Sequence, residues 1–195
     1  MRIFVALVLP EQFKAELISG TRVLRESGYP LRWAPSENLH ITLAFLGELA
    51  EVGTALAIEV ARQTAGRHAT FILTSRNLVA YPRRGAARIL AATFSEGSQN
   101  AAALASDLEG ELESLGCRAG YTFRERETKP FTAHVTLARS GRMPVKFSPE
   151  ALASSPGPGL EACTRIERLA VFESRLQRGG ADYIKLAEFP LLEHP

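Results

Sequence analysis

Two short segments carry residues whose types and spacing can do chemistry. "HITLAFLG" opens with His40 and Thr42, and "HVTLAR" opens with His134 and Thr136. Residues i and i+2 of a strand project from the same face. Each segment therefore offers an imidazole and a hydroxyl together, while Ile41 and Val135 turn the other way. Two such strands lining one cleft would hold what transfer at phosphorus needs. A neutral imidazole takes the proton of the attacking oxygen, and a protonated one gives a proton to the leaving oxygen. Histidine is the side chain for which both states coexist near neutrality. Threonine hydroxyls donate to non-bridging oxygens as charge develops. Arg139, five residues after His134, would add a cationic fork, but strict alternation points it away from that imidazole.

The competing reading of one such histidine is a satisfied core side chain. The repetition weighs against it, because a chain with only 4 histidines seldom places two of them by chance in His-x-Thr-Leu. His68 and His194 stand in no such context and read as surface residues. A metal site is the rival use of two histidines. It would want a third Cys, His or carboxylate in register, and none recurs beside either segment. No phosphate-binding glycine loop, GxSxG elbow or ligase lysine motif is present, so nothing supports an ATP-dependent reaction.

The elements that must position these residues follow from the apolar pattern. Ile3 to Leu9 is a continuous apolar run closed by Pro10 and reads as a central strand. Pro10 opens a helix with a stripe of Phe13, Leu17, Val23 and Leu24, weakened by Gly20. "YPLRWAPSENLH" is rich in turn residues and leads to the strand at His40, which Gly47 ends. A helix over about 52–65, a strand over 69–80 and a strand over 88–94 come next, the last two separated by the loop "YPRRGAA". A long helix over about 99–115 carries Leu104, Leu108, Leu112 and Leu115, with Gly116 as its terminator. A charged connection reaches the strand at His134. "SPEALASSPGPG" reads as a helical turn and a loop. "IERLAVFESRL" and "ADYIKLAEFPL" flank "QRGG" as a closing hairpin. An apolar strand, a helix and a His-x-Thr strand thus occur twice, which predicts two similar lobes in one bilobal unit over residues 1–195.

Hydrophobic residues make up 46% and charged residues 23% of the 195, the balance of a folded globular chain. Net charge is only +2, yet 19 of the 23 basic residues are arginine. Arginine's planar fork suits phosphate oxygens, and a GC-rich genome would give the same bias. Cys117 and Cys163 form no CxxC pair, so a reducing compartment, the cytoplasm, is expected. "MRIFVALVLPEQFK" lacks a small-residue cleavage site and reads as a first strand. No apolar run approaches a membrane span.

These segments together resemble the two-histidine phosphoesterase superfamily, and within it the RNA 2′,3′-cyclic phosphodiesterases, also called 2′-5′ RNA ligases. "ENLHITLAFLGE" and "KPFTAHVTLAR" are close to the two signatures. "RIFVALVLP" and "SRLQRGGADYIKLAEFPL" resemble the first strand and the closing hairpin. One departure is Ala133, where the second signature commonly has proline. The resemblance implies an α+β, bilobal fold with antiparallel sheets around a central cleft, no metal or other cofactor, and a monomer. It implies His40 as proton donor and His134 as proton acceptor, with Thr42, Thr136 and Arg139 on the phosphate. Phe45 would contact a base, although core packing explains an aromatic there equally well. The implied reaction is hydrolysis of an RNA terminal 2′,3′-cyclic phosphate to a 2′-phosphate, with reversible 2′-5′ RNA ligation as a further activity. The alternatives are a small cyclic nucleotide or 2′-5′ oligonucleotide as substrate, or a non-catalytic RNA-binding module. Arg83, Arg84, Arg88, Arg124, Arg126, Lys129 and Arg142 are candidates for tracking an RNA backbone, against a default of scattered surface charge.

Overall fold

The computed structural model describes residues 1–123, 130–148, 152, 162–177 and 180–193. Strand β1 (Arg2–Val8) has Ile3, Val5, Ala6 and Leu7 fully buried, because it is hydrogen-bonded on both edges and covered on both faces. Helix α1 (Glu11–Gly20) follows Pro10, and the expected stripe breaks at Thr21, where a short α2 (Arg22–Glu26) begins. Leu24 stays in the core, whereas Val23 is exposed. The turn-rich stretch that follows contains an unforeseen strand, β2 (Leu31–Trp33), and a 3₁₀ turn over Ser36–Asn38. Three residues are too few to show alternation. β2 exists because its backbone pairs with a distant strand.

β3 (His40–Glu48), α3 (Glu51–Ala65), β4 (Phe71–Tyr81) and β5 (Ile89–Glu96) match the expected order. α4 (Ser98–Ala119) buries Leu104, Leu108 and Leu112 but runs past Gly116. Gly116 is small for packing: a Cβ there would sit 2.6 Å from the Tyr121 carbonyl oxygen and 3.0 Å from the Phe123 ring. Gly120, at φ +64°, supplies the left-handed terminus instead. β6 (His134–Ser140), β7 (Cys163–Ile166), β8 (Arg168–Gln177) and β9 (Gly180–Pro190) complete the chain. β8 and β9 pair from Arg168↔Pro190 to Gln177↔Gly180, the expected closing hairpin, while β7 is a second short strand that the pattern did not reveal. The "SPEALASSPGPG" reading lies almost wholly outside the described residues.

The strands form two antiparallel sheets, β3-β1-β8-β9 and β2-β6-β5-β4-β7. One correspondence relates them: β1 flanked by β3 and β8 matches β5 flanked by β6 and β4, so the two His-x-Thr strands are equivalent. α4 packs against both β3 and β5, and β3 also meets β6 directly. A continuous cluster of buried side chains, including Leu7, Leu43, Leu104, Leu108 and Leu137, joins the two sheets. Cys117 and Cys163 are free thiols. Among the described residues no helix is long and apolar enough to cross a membrane.

Candidate active site

The two histidine strands share more than their opening residues. In β3 partner positions step from Ala44↔Val5 to Thr42↔Ala6, leaving Leu43 without an opposite number. In β6 they step from Ala138↔Leu90 to Thr136↔Ala91, leaving Leu137 bulged in the same way. A bulge inserts one residue and resets the alternation. His, Thr and the residue five after the His therefore share one face, while the leucine and alanine between them are buried. This corrects the expectation from strict alternation. Arg139 faces the same cleft as His134, and Phe45, 37% exposed, does so beside His40.

Between the sheets lies a cleft of about 570 Å³ whose lining includes His40, Thr42, Phe45, His134, Thr136 and Arg139. All six candidate residues meet there. No Asp, Glu or Cys is among its described lining residues, while Arg2, Arg32 and Arg139 are. A cationic cleft without carboxylates favours an anion. The other proposed basic residues fare differently. Arg83, Arg84, Arg88 and Arg142 are not part of the lining. Arg83 instead lies over the Tyr81 ring at 5.9 Å, itself 6.0 Å from His134. Arg124, Arg126 and Lys129 lie outside the described residues, as does His194. His68 is half-buried and bonded through Nε2 to Asp107 at 3.0 Å, away from the cleft.

Each catalytic candidate is oriented by the chain just before it. His40 Nδ1 lies 2.8 Å from the Asn38 carbonyl and His134 Nδ1 lies 2.8 Å from the Thr132 carbonyl. A carbonyl only accepts, so in both rings Nδ1 carries the proton and Nε2 is left for proton transfer. His40 Nε2 also sits 3.0 Å from Thr42 Oγ1, a hydroxyl able to donate to a neutral ring or accept from a charged one.

The surroundings of the two rings differ. His40 lies over Phe4 at 4.9 Å, has Tyr183 edge-on at 5.2 Å and Phe172 at 6.2 Å. Burial among these rings lowers its pKa to about 4, opposed by the Asn38 carbonyl and reinforced by the positive charges of His134, Lys14 and Arg139. His40 is therefore neutral at pH 7. His134 and Arg139 of β6 line the same cleft as His40, and β3 and β6 meet directly. Lys14 is buried at 7%, with Glu11 as partner. Sequence reasoning missed Lys14, the aromatic bed and the Asn38 side chain, which donates to the Ala181 carbonyl at 2.8 Å. Only "ENLH" hinted at Asn38; Lys14 comes from α1 and the aromatic rings from β1, β8 and β9, all remote from His40 along the chain.

Two antiparallel sheets that bring paired His-x-Thr strands to one cationic cleft match the pattern of a two-histidine phosphoesterase. Comparisons with known proteins agree. The family described as LigT like Phosphoesterase matches residues 7–90. An RNA 2′,3′-cyclic phosphodiesterase of Thermus thermophilus is 30% identical over 98% of this chain and 90% of its own. One of Geobacillus stearothermophilus is 30% identical over 98% of this chain, which spans 58% of that relative's length. The crystal structure of TT0787 of Thermus thermophilus superposes with TM-score 0.82 at 28% identity, covering 98% of both chains. That of Escherichia coli LigT with 3′-AMP has TM-score 0.73 at 24% identity over 97% of both, a likeness of fold. The chain belongs to the RNA 2′,3′-cyclic phosphodiesterase family of LigT-like phosphoesterases.

Proposed function

We propose that the protein hydrolyses an RNA terminal 2′,3′-cyclic phosphate to a 2′-phosphate, without a metal, using His40 as acid and His134 as base. One observation supports this most: two imidazoles, each fixed with Nδ1 on a backbone carbonyl, share with two threonine hydroxyls one cationic cleft that has no carboxylate among its described lining residues. The relatives' names supply the substrate class. In this mechanism His134 Nε2 takes a proton from water as the water oxygen bonds to phosphorus. The bond from phosphorus to O3′ breaks, and His40 Nε2–H delivers its proton to that oxygen. Thr42, Thr136 and Arg139 take the non-bridging oxygens. The electrostatics around His40 set a condition on the acid. Its pKa is lowered to about 4, so the phosphodiester's own negative charge must raise it before the imidazole can donate.

The donor set supports the metal-free reading: among the described residues no three His, Cys, Asp or Glu side chains are grouped to hold an ion. With the 5′-hydroxyl of a second strand in place of water, attack at phosphorus with loss of O3′ would join the ends through a 2′-5′ linkage, His134 taking the hydroxyl proton and His40 giving one to O3′. The deciding experiment is incubation of an oligoribonucleotide ending in a 2′,3′-cyclic phosphate, with identification of the product isomer and with EDTA in a parallel arm. A 2′-phosphate formed at the same rate in chelator is expected. A 3′-phosphate product would reverse the bond assignment, and loss of turnover in EDTA would overturn the metal-free mechanism. Activity confined to mononucleotides would favour a small cyclic nucleotide as substrate, and strong RNA binding without turnover would favour a binding module.

A further inference from the structure

Arg139 does not stand alone at its end of the cleft. β2 pairs with β6 so that Arg32 is directly opposite Arg139, and both side chains line the cleft. Residues directly opposite in an antiparallel pair project from the same face, and like charges so placed destabilise the pairing. Among the described residues neither guanidinium makes an ion pair with a carboxylate. The lining around Phe45 is built otherwise. There Arg2 lies over the Phe45 ring at 5.4 Å and has Glu48 at 3.9 Å. The cleft lining thus includes an aromatic part, whose arginine shares its charge, and a doubly cationic part. An unneutralised arginine pair facing solvent is a site for more negative charge than one phosphodiester carries.

We propose that Arg32 holds the phosphodiester immediately upstream of the reacting phosphate, so that the site selects the end of an RNA strand over a lone cyclic nucleotide. This rests on the cyclic phosphodiesterase reading above and deepens it. Arg139 shares strand β6 and its cleft face with His134 and Thr136, so it belongs to the reacting phosphate, and Arg32, on the neighbouring strand β2, lies one step outward. Cα atoms of directly opposed residues are about 5 Å apart, and two long side chains starting there can separate their heads to the spacing of consecutive phosphates. The polarity follows: the terminal nucleotide lies toward Phe45, and the strand leaves past Arg139 and Arg32.

The test compares three substrates: a nucleoside 2′,3′-cyclic phosphate, a dinucleotide ending in a 2′,3′-cyclic phosphate, and the same dinucleotide with its internal linkage replaced by neutral methylphosphonate. For the wild-type protein, kcat/KM should be about tenfold higher for the charged dinucleotide than for the neutral one, as removal of a charge-assisted contact predicts. In Arg32→Gln that preference should vanish, and Arg32→Lys should restore most of it. A wild-type protein indifferent to the linkage charge, or an Arg32→Gln variant that still discriminates, would overturn the subsite. Turnover of the lone cyclic nucleotide reads the underlying activity separately. Should no substrate turn over, the cyclic phosphodiesterase reading fails. Binding of the 2′-phosphate-ended dinucleotide by calorimetry then decides the subsite alone, with the salt dependence in Arg32→Gln expected to be shallower by about one ion.

Discussion

His40 and His134 open strands of the same pattern, each with a bulged leucine three residues on and Nδ1 held by the carbonyl two residues before. Their settings nevertheless diverge. His40 is bedded on Phe4 and Phe172 with Tyr183 against its edge, and its anchor Asn38 is tied to β9. His134 has Tyr81 at 6.0 Å, and its anchoring bond is exposed. Five residues after the histidine, β3 presents an aromatic ring and β6 a guanidinium. The duplicated strand supplies two imidazoles anchored alike. The side chains that make their surroundings unequal come from β1, β8 and β9 on one side and β4 on the other.

The sharpest way to break the comparison is to delete each imidazole. His40→Ala and His134→Ala should each lower kcat/KM by about 10²- to 10⁴-fold, and near-native turnover in either variant would remove that residue from the chemistry. The next effect reads burial. The folded pKa of His40 is about 4 against an unfolded value near 6.5. As pH falls through that window the unfolded chain takes up the proton first, so stability declines between pH 6.5 and 4, on the order of 3 kcal/mol in all at 1.36 kcal/mol per unit. Denaturant melts of wild type and His40→Gln should diverge across that range, with the variant losing less; parallel curves would mean His40 is not held neutral. Thr42→Val should cost about tenfold in kcat and displace the pH profile, because its hydroxyl touches His40 Nε2. Should Thr136→Val displace the profile equally, that hydroxyl too would act on a proton carrier. The smallest effect separates the two anchors. Asn38→Ala loses the bond to Ala181 and should lower kcat a few-fold, whereas Thr132→Ala, at an exposed position, should leave kcat within twofold.

Long elements were readable because burial imposes a period. The apolar run of β1 and the leucine stripe of α4 fix their types. β2 and β7, at three and four residues, carry no period, and only pairing makes them strands. Gly116 and Gly120 are both plausible helix ends, and it takes the position of Phe123 and Tyr121 to tell packing from termination. At the site, the four residues of the repeated His-x-Thr all line the one cleft. Arg139 was judged to face away because alternation was extended through a bulge, whose presence depends on the partner strand β5. Arg32 lay in a segment read as turn and drew no attention.

Residue chemistry and short-range spacing are local properties. From them the chain alone determined that two imidazole–hydroxyl pairs exist, that each pair shares a strand face, and that the rest of the sequence builds strands and helices in a twice-repeated order. The tertiary structure decided which face meets which. It set the two strands on one cleft, buried one imidazole among aromatic rings, and brought Arg32 opposite Arg139. Desolvation and charge depend on neighbours far along the chain, so the proton affinity of His40 and the charge of the cleft are fixed only when the sheets assemble.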